Sequence, residues 1–204
     1  LTIGSITGDG TLFTATSGIS TNTGDVNLVT GNSLTIGAGA GAAESISATG
    51  ATVTLNTASG GVSEATASIV TANNLLLLGA GNYSLLQSNQ VGTLAAGVLG
   101  SIDYVDADAL TVGTVGVTNG ITTGNGGTSG GNVTITTGGV LTVDQAINTT
   151  IGTGGLVTVS NAVLNASLTA GAGNITLTGG GQDRANTPIS YLQSIAGLNF
   201  ITLI

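Results

Sequence analysis

The sequence predicts an all-β protein wound as a single right-handed parallel β-helix, a β-solenoid of about eight to ten coils. Three observations predict it. Short stretches alternate apolar and polar residues, as in Val133-Thr-Ile135 and Leu141-Thr-Val143, the period of a strand with one buried face. Nearly the same wording recurs at Asp25-Val-Asn-Leu28, Thr52-Val-Thr-Leu55, Ala109-Leu-Thr-Val112, Gly155-Leu-Val-Thr-Val159 and Gly173-Asn-Ile-Thr-Leu177. The first apolar residues of the clear strands, Val26, Val53, Leu75, Leu110, Val133, Val157 and Ile175, lie 27, 22, 35, 23, 24 and 18 residues apart. Most of these gaps suit one turn of a solenoid.

Each element follows from this pattern. The chain opens in strand wording at Leu1-Thr-Ile3 and closes in it at Phe200-Ile-Thr-Leu-Ile204, so it reads as a segment of something longer. Apolar residues recur at i and i+2 rather than i, i+3 and i+4, and Thr, Val, Gly and Asn are poor helix formers. One repeat cannot bury its own apolar face, whereas stacked repeats pile Val and Ile inward and leave Thr and Asn outward. Gly is expected to supply positive φ at corners such as Gly31-Asn32, Asn119-Gly120, 124–127, Gly138-Gly139 and 171–173, with Asn tolerated there. The gap of 35 residues is expected to hold an irregular coil or insertion between Tyr83 and Val105. Residues 1–181 thus form the repeats. Residues 182–204, with the only Arg (Arg184) and the only Pro (Pro188), form an atypical last coil, cap or exchange strand. At the strand spacing the rod would be roughly 40–50 Å long. A β-sandwich or barrel is the alternative that also has short strands and frequent turns.

Composition narrows the function classes. Of 204 residues, 5% are charged, 2% aromatic and 41% hydrophobic; Gly occurs 36 times. Gly has no three-residue period, which excludes collagen. The net charge of -8, with no Lys and no His, excludes a nucleic-acid partner, which needs cations to replace phosphate counterions. It disfavours an anionic membrane surface too. No apolar run is long enough to span a bilayer uninterrupted, so no membrane insertion is expected. No Cys is present, so disulfides hold nothing together. Together with the missing Lys and Met, this composition points to an extracellular or bacterial cell-surface setting.

The wording from Ala109-Leu-Thr-Val112 through 131–136 (Gly-Asn-Val-Thr-Ile-Thr), 139–143 (Gly-Val-Leu-Thr-Val) and 173–178 (Gly-Asn-Ile-Thr-Leu-Thr) resembles the repeat region of filamentous-haemagglutinin-type adhesins, which are large secreted bacterial exoproteins. The resemblance covers most of residues 20–180. It implies a β-solenoid at the cell surface and transfers no catalytic residue. The family's secretion domain carries Asn-Pro-Asn-Leu-type motifs, and the one Pro here lies in Thr187-Pro-Ile189.

Candidate chemistry is sparse. Asp103, Asp106 and Asp108 form the densest acid cluster and are the candidate Ca²⁺ ligands, since hard cations take several oxygens. Asp106 and Asp108 are expected to share a strand face. Neither EF-hand spacing nor the Gly-Gly-x-Gly-x-Asp repeat is present, so a solvated acidic edge is the competing reading. No other cofactor is expected. Asp9/Asp25 and Glu44/Glu64 are acid pairs that stacked coils could bring together for glycoside hydrolysis, which needs two carboxylates; with no Lys or His for elimination chemistry, an enzyme is not expected. Thr-x-Thr pairs at 14/16, 21/23, 52/54, 134/136 and 176/178 suggest an ice-binding rank but show no common period. The Asn-x-Ser/Thr sites at Asn82, Asn132, Asn148, Asn165 and Asn174 are chance matches in so rich a composition. A β-helix with pairable ends and little charge is expected to extend end to end. The expected function is therefore a structural or adhesive fibre whose partners are further copies or flanking repeats, with host or matrix glycans beyond. A polysaccharide-binding or -cleaving β-helix is the alternative, as is an ice-binding solenoid.

Overall fold

The computed structural model describes residues 2–3, 5–6, 16–37, 44–124, 130–149, 154–171, 173–178 and 201–203. Every regular element among them is a β-strand, and nearly all pair in parallel within one sheet of 19 strands. Two stacked ladders run through it. In the first, Leu34 pairs with Val62, Val62 with Tyr83, Tyr83 with Ile102, Ile102 with Val133, Val133 with Val157, Val157 with Ile175 and Ile175 with Ile201. In the second, Val26 pairs with Val53, Val53 with Leu75 and Leu75 with Leu94. It continues as Ala96 to Ile121, Ile147 and Leu168, and as Leu110 to Leu141 and Ala162.

Alternation decides which side chains meet. In Val133–Thr137 the burial runs buried, half-buried, buried, exposed, buried, because successive side chains leave opposite faces of a strand. The inward aliphatics of both ladders form one core, from Val26 and Leu34 through Leu55, Leu77 and Leu94 to Val159 and Ile175. Each such Val, Ile or Leu contributes about 1.5–3 kcal/mol by leaving water. Two tyrosines share this core. Tyr83 aims its hydroxyl at the carbonyls of Leu55 (3.1 Å) and Leu78, which satisfies the one polar atom its ring carries inward.

Glycine works differently from expectation at most corners. Positive φ occurs at Gly120 and Gly124, but not at Gly31, Gly138, Gly139 or Gly173. The larger group is a column, one per rung: Gly60, Gly81, Gly100, Gly131, Gly155 and Gly173. A Cβ on Gly100 would stand 2.5 Å from the Gly81 carbonyl oxygen, one on Gly131 2.3 Å from the Gly100 carbonyl, and one on Gly173 2.3 Å from the Gly155 oxygen. Close backbone approach, not left-handed backbone, demands glycine there. Next to this column, Asn82 Oδ1 accepts from Ser101 N, Ser101 Oγ from Asn132 N, and Asn132 Oδ1 from Leu156 N, all within 3.0 Å. Asn82 and Asn132 thus hold rungs together.

The expected insertion between Tyr83 and Val105 is not there. Tyr83–Val98 is one strand that serves both ladders, and Tyr83 to Ile102 is a rung of ordinary length. The gap of 35 residues arose because Leu75 and Leu110 are not successive: Leu94 lies between them. The true excursion is at 113–120. There Thr114–Val115 and Thr118–Asn119 form an antiparallel hairpin, with Gly116 at φ 60° in its turn and Val117, next in the turn, 98% exposed. In the atypical tail, Ile201–Leu203 pairs in parallel with Ile175–Thr178, and residues 182–200 lie outside the described residues.

Candidate functional site

The acid cluster divides between two environments. Strand Ile102–Asp106 buries Ile102, Tyr104 and Asp106 and turns Asp103 outward. An odd offset separates Asp103 from Asp106, so they leave opposite faces. The strand ends at Asp106, so Asp108 shares no strand face with it, contrary to expectation, and is exposed. Asp106 is 2% exposed and its oxygens are engaged: Oδ2 accepts from Tyr104 Oη at 2.7 Å and Val91 N at 3.0 Å, and Oδ1 from Asp108 N at 3.0 Å. Among the described residues, no group of three or more acids is placed to hold a metal ion. Asp103, Asp106 and Asp108 therefore do not converge.

What the fold does assemble is a polar seam at the corner after the first ladder. Its hub is Asn89, fully buried and paired in register with Asp106. Asn89 Oδ1 accepts from Val70 N at 2.7 Å. Its Nδ2 donates to the Gln87 carbonyl at 3.0 Å and the Val105 carbonyl at 3.1 Å, with longer contacts to the Leu85 carbonyl and Glu64 Oε2. Glu64 Oε2 also accepts from Gln87 N at 2.9 Å, while Glu64 Oε1 is buried without a partner. Gln87 Oε1 reaches back to accept from Ala67 N at 3.1 Å.

The seam shifts its own titrations. Burial, countered only in part by the Gln87 and Asn89 donors, pushes the Glu64 carboxyl up to about 7. Burial also raises Asp106 against three stabilising donors. Tyr104 is raised by burial and then by the neighbouring Asp106 charge, so it remains a phenol that donates. Burial raises the Tyr83 hydroxyl as well. Sequence reasoning named Asp106 and Glu64 only as candidate metal or hydrolytic acids and missed Asn89 and Gln87, although strand parity alone turns Asp106 inward with Ile102 and Tyr104.

Glu44 and Glu64 do not stack. Glu64 lies level with Ile36, whereas Glu44, just before the strand Ile46–Thr57, donates its backbone N–H to Ser68 Oγ at 3.2 Å in the turn that follows Glu64; Asp9 lies outside the described residues. Asp25 Oδ1 instead accepts from Thr52 N at 2.8 Å. The outward hydroxyls, by contrast, do fall in register. Thr35, Ser63, Ser84, Asp103, Thr134, Thr158 and Thr176 occupy one file of the first ladder. Ser160 and Thr178 pair one step further along. Thr14 lies outside the described residues.

No protein-family model matches the chain, and no curated protein or solved structure is similar to it at a significant level.

Proposed function

We propose that the chain is a closed right-handed β-solenoid that serves as a non-enzymatic rod in an extracellular or cell-surface fibre, in the manner of filamentous-haemagglutinin-type repeats. One observation carries this reading: the single parallel file from Leu34 to Ile201. Its successive members are 28, 21, 19, 31, 24, 18 and 26 residues apart. Rungs of such unequal length share one register, so the excess is shed into loops while the core file stays continuous. The same pairing accepts a further rung from a longer chain or from a second copy. Low charge leaves little to repel that copy. Copies of itself and matrix glycans are the expected partners.

Negative-stain microscopy with fibre diffraction tests this. Rods roughly 40–50 Å long that join into filaments as concentration rises, with a reflection near 4.8 Å along the axis, are expected. Short rods that never join would overturn the self-assembly, and a compact particle without that reflection would overturn the solenoid. Turnover of any polysaccharide would overturn the non-enzymatic assignment.

The hydroxyl file favours a second reading, an ice-binding face. One hydroxyl on each rung from Thr35 to Thr176 except that of Asp103, the one charge among them, presents a regular row of donors and acceptors to water. Thermal hysteresis that disappears in a Thr134→Leu/Thr158→Leu double variant supports it; none in the wild type removes it.

A further inference from the structure

Glu64 ends the strand Val62–Glu64 and begins the turn that leads to Val70–Gly79. Two independent features meet in these few residues. One oxygen of the Glu64 carboxyl is buried with no donor. Three residues on, Ala67 has φ 65°, a left-handed conformation that strains a side-chain-bearing residue. The two are tied through Gln87: its N–H donates to Glu64 Oε2 and its Oε1 accepts from Ala67 N. The turn is therefore held in a strained shape by a clamp whose other end is a half-buried carboxyl with one oxygen wholly out of reach of water.

Among the described residues, nothing around that carboxyl neutralises it. The strand Leu34–Ile36, paired on one side, contains no titratable residue. On the other side Tyr83–Val98 offers only Tyr83, whose hydroxyl is engaged with the Leu55 and Leu78 carbonyls. Beyond it, Ile102–Asp106 brings Asp103, Tyr104 and Asp106, followed by Asp108. Glu44 approaches the same turn through Ser68. All of these are acids or phenols. The sequence holds no Lys, no His and a single Arg. A buried carboxylate in such a setting is relieved by a proton or by moving into water.

We propose that Glu64, Gln87 and the turn through Ala67 form a proton-operated latch in the wall of the rod. With Glu64 protonated, the clamp is shut and the turn is sealed against the next rung. When Glu64 ionises, the carboxylate swings out to water, Gln87 loses its acceptor, and the strained turn relaxes. The latch makes a local stretch of wall, not the whole ladder, responsive to pH around neutrality. It operates whether or not rods join end to end.

Hydrogen exchange of the intact chain, with rates normalised for the intrinsic effect of pH, tests this. The protection factors of the Gln87 and Ala67 amides are expected to fall about tenfold or more between about pH 5.5 and 8.5, with a midpoint near 7. The core amides of Ile135 and Val159 are expected to hold steady. In Glu64→Gln, protection at both sites stays high across the range. Flat protection in the wild type, or the same pH profile in Glu64→Gln, would overturn the latch. A carbon-detected NMR titration of the Glu64 carboxyl in the wild type needs no variant. A midpoint near 7 supports the proposal, and one at the ordinary value near 4.5 overturns it.

Discussion

Gly131→Ala is the sharpest test of how the rungs are held apart. The new Cβ would lie 2.3 Å from the carbonyl carbon and oxygen of Gly100, where ordinary contacts begin at 3.4 Å. Both partners are backbone, so no rotamer change relieves the overlap. The two rungs must separate by about 1 Å or twist locally. The bonds nearest the strain are Ile102 N to the Asn132 carbonyl at 2.8 Å and Asn132 N to Ser101 Oγ at 3.0 Å. A shift of that size takes both beyond hydrogen-bonding distance. Two bonds at roughly 1 kcal/mol each, plus about 1–3 kcal/mol of overpacking, give a loss of about 4 kcal/mol.

Two other glycines isolate the cause. At Gly31 an added Cβ would meet nothing within 4 Å, and the backbone has no positive φ, so Gly31→Ala should be neutral or stabilise by up to about 1 kcal/mol through the unfolded chain. Gly116 also has open space but sits at φ 60°, so Gly116→Ala should cost roughly 1–2 kcal/mol from backbone conformation alone. Urea denaturation followed by circular dichroism ranks the three. At roughly 2–4 °C per kcal/mol for a chain of this size, Gly131→Ala should melt about 10 °C lower. If Gly131→Ala and Gly31→Ala melt together, the glycine column does not set the rung spacing.

Four further outcomes are expected. The Glu64 carboxyl titrates near 7 in the folded state against 4.5 ordinarily; the folded state binds the proton more tightly, so stability is highest below about 4.5 and falls as pH rises to about 7, by at most about 3 kcal/mol. Melting temperature should therefore drop from pH 5 to pH 8 and then level off, while Glu64→Gln should flatten that limb. Asn89→Leu strands Val70 N and two carbonyls inside the seam, and should cost about 3 kcal/mol or more by urea denaturation, well above a surface substitution. Thr134→Asp sets a carboxylate on the rung beside Asp103; it should cost about 1 kcal/mol at low salt and recover in 1 M NaCl or in an Asp103→Asn background, read from melting curves. Millimolar Ca²⁺ should leave the melting temperature unchanged, because Asp103 and Asp106 face opposite ways.

Much of the fold was legible because strand parity and rung spacing both write themselves into the residue order. Val26, Val53 and Leu75 are true register partners, as are Val133, Val157 and Ile175. The spacing failed where a strand lost its apolar rhythm. Tyr83–Val98 passes through Gln87-Ser-Asn-Gln90 and Gly92, and its missing rung turned into an imagined insertion. The glycine column was also legible and went unread. Gly60, Gly81, Gly100, Gly131, Gly155 and Gly173 each stand two residues before the strand's first buried apolar residue: Val62, Tyr83, Ile102, Val133, Val157 and Ile175. The candidate site was less legible for a different reason. Asn89, Asp106 and Glu64 are polar residues used inside, and apolar periodicity is blind to them.

The scarcity of charge follows from the same register. In a parallel stack each outward residue lies beside its counterpart on the rungs before and after, about 4.8 Å away. Two like charges at that distance repel by about 0.9 kcal/mol even in water, and a file of them repels at every step. Hydroxyls stack without that cost, each able to donate and accept. The first ladder's outer file is accordingly Thr35, Ser63, Ser84, Thr134, Thr158 and Thr176, and its one acid, Asp103, has Ser84 and Thr134 on either side. Inside, a charge meets no cation among the described residues, so the carboxyls that do enter are placed where backbone N–H groups stabilise them or a proton neutralises them. Asp106 takes the first solution, with donors from Val91 and Asp108. Glu64, one donor short, is left with the second. Composition that looks like a property of the solvent is thereby a consequence of stacking, and the lone carboxyl oxygen in the wall is where that constraint becomes sensitive to pH.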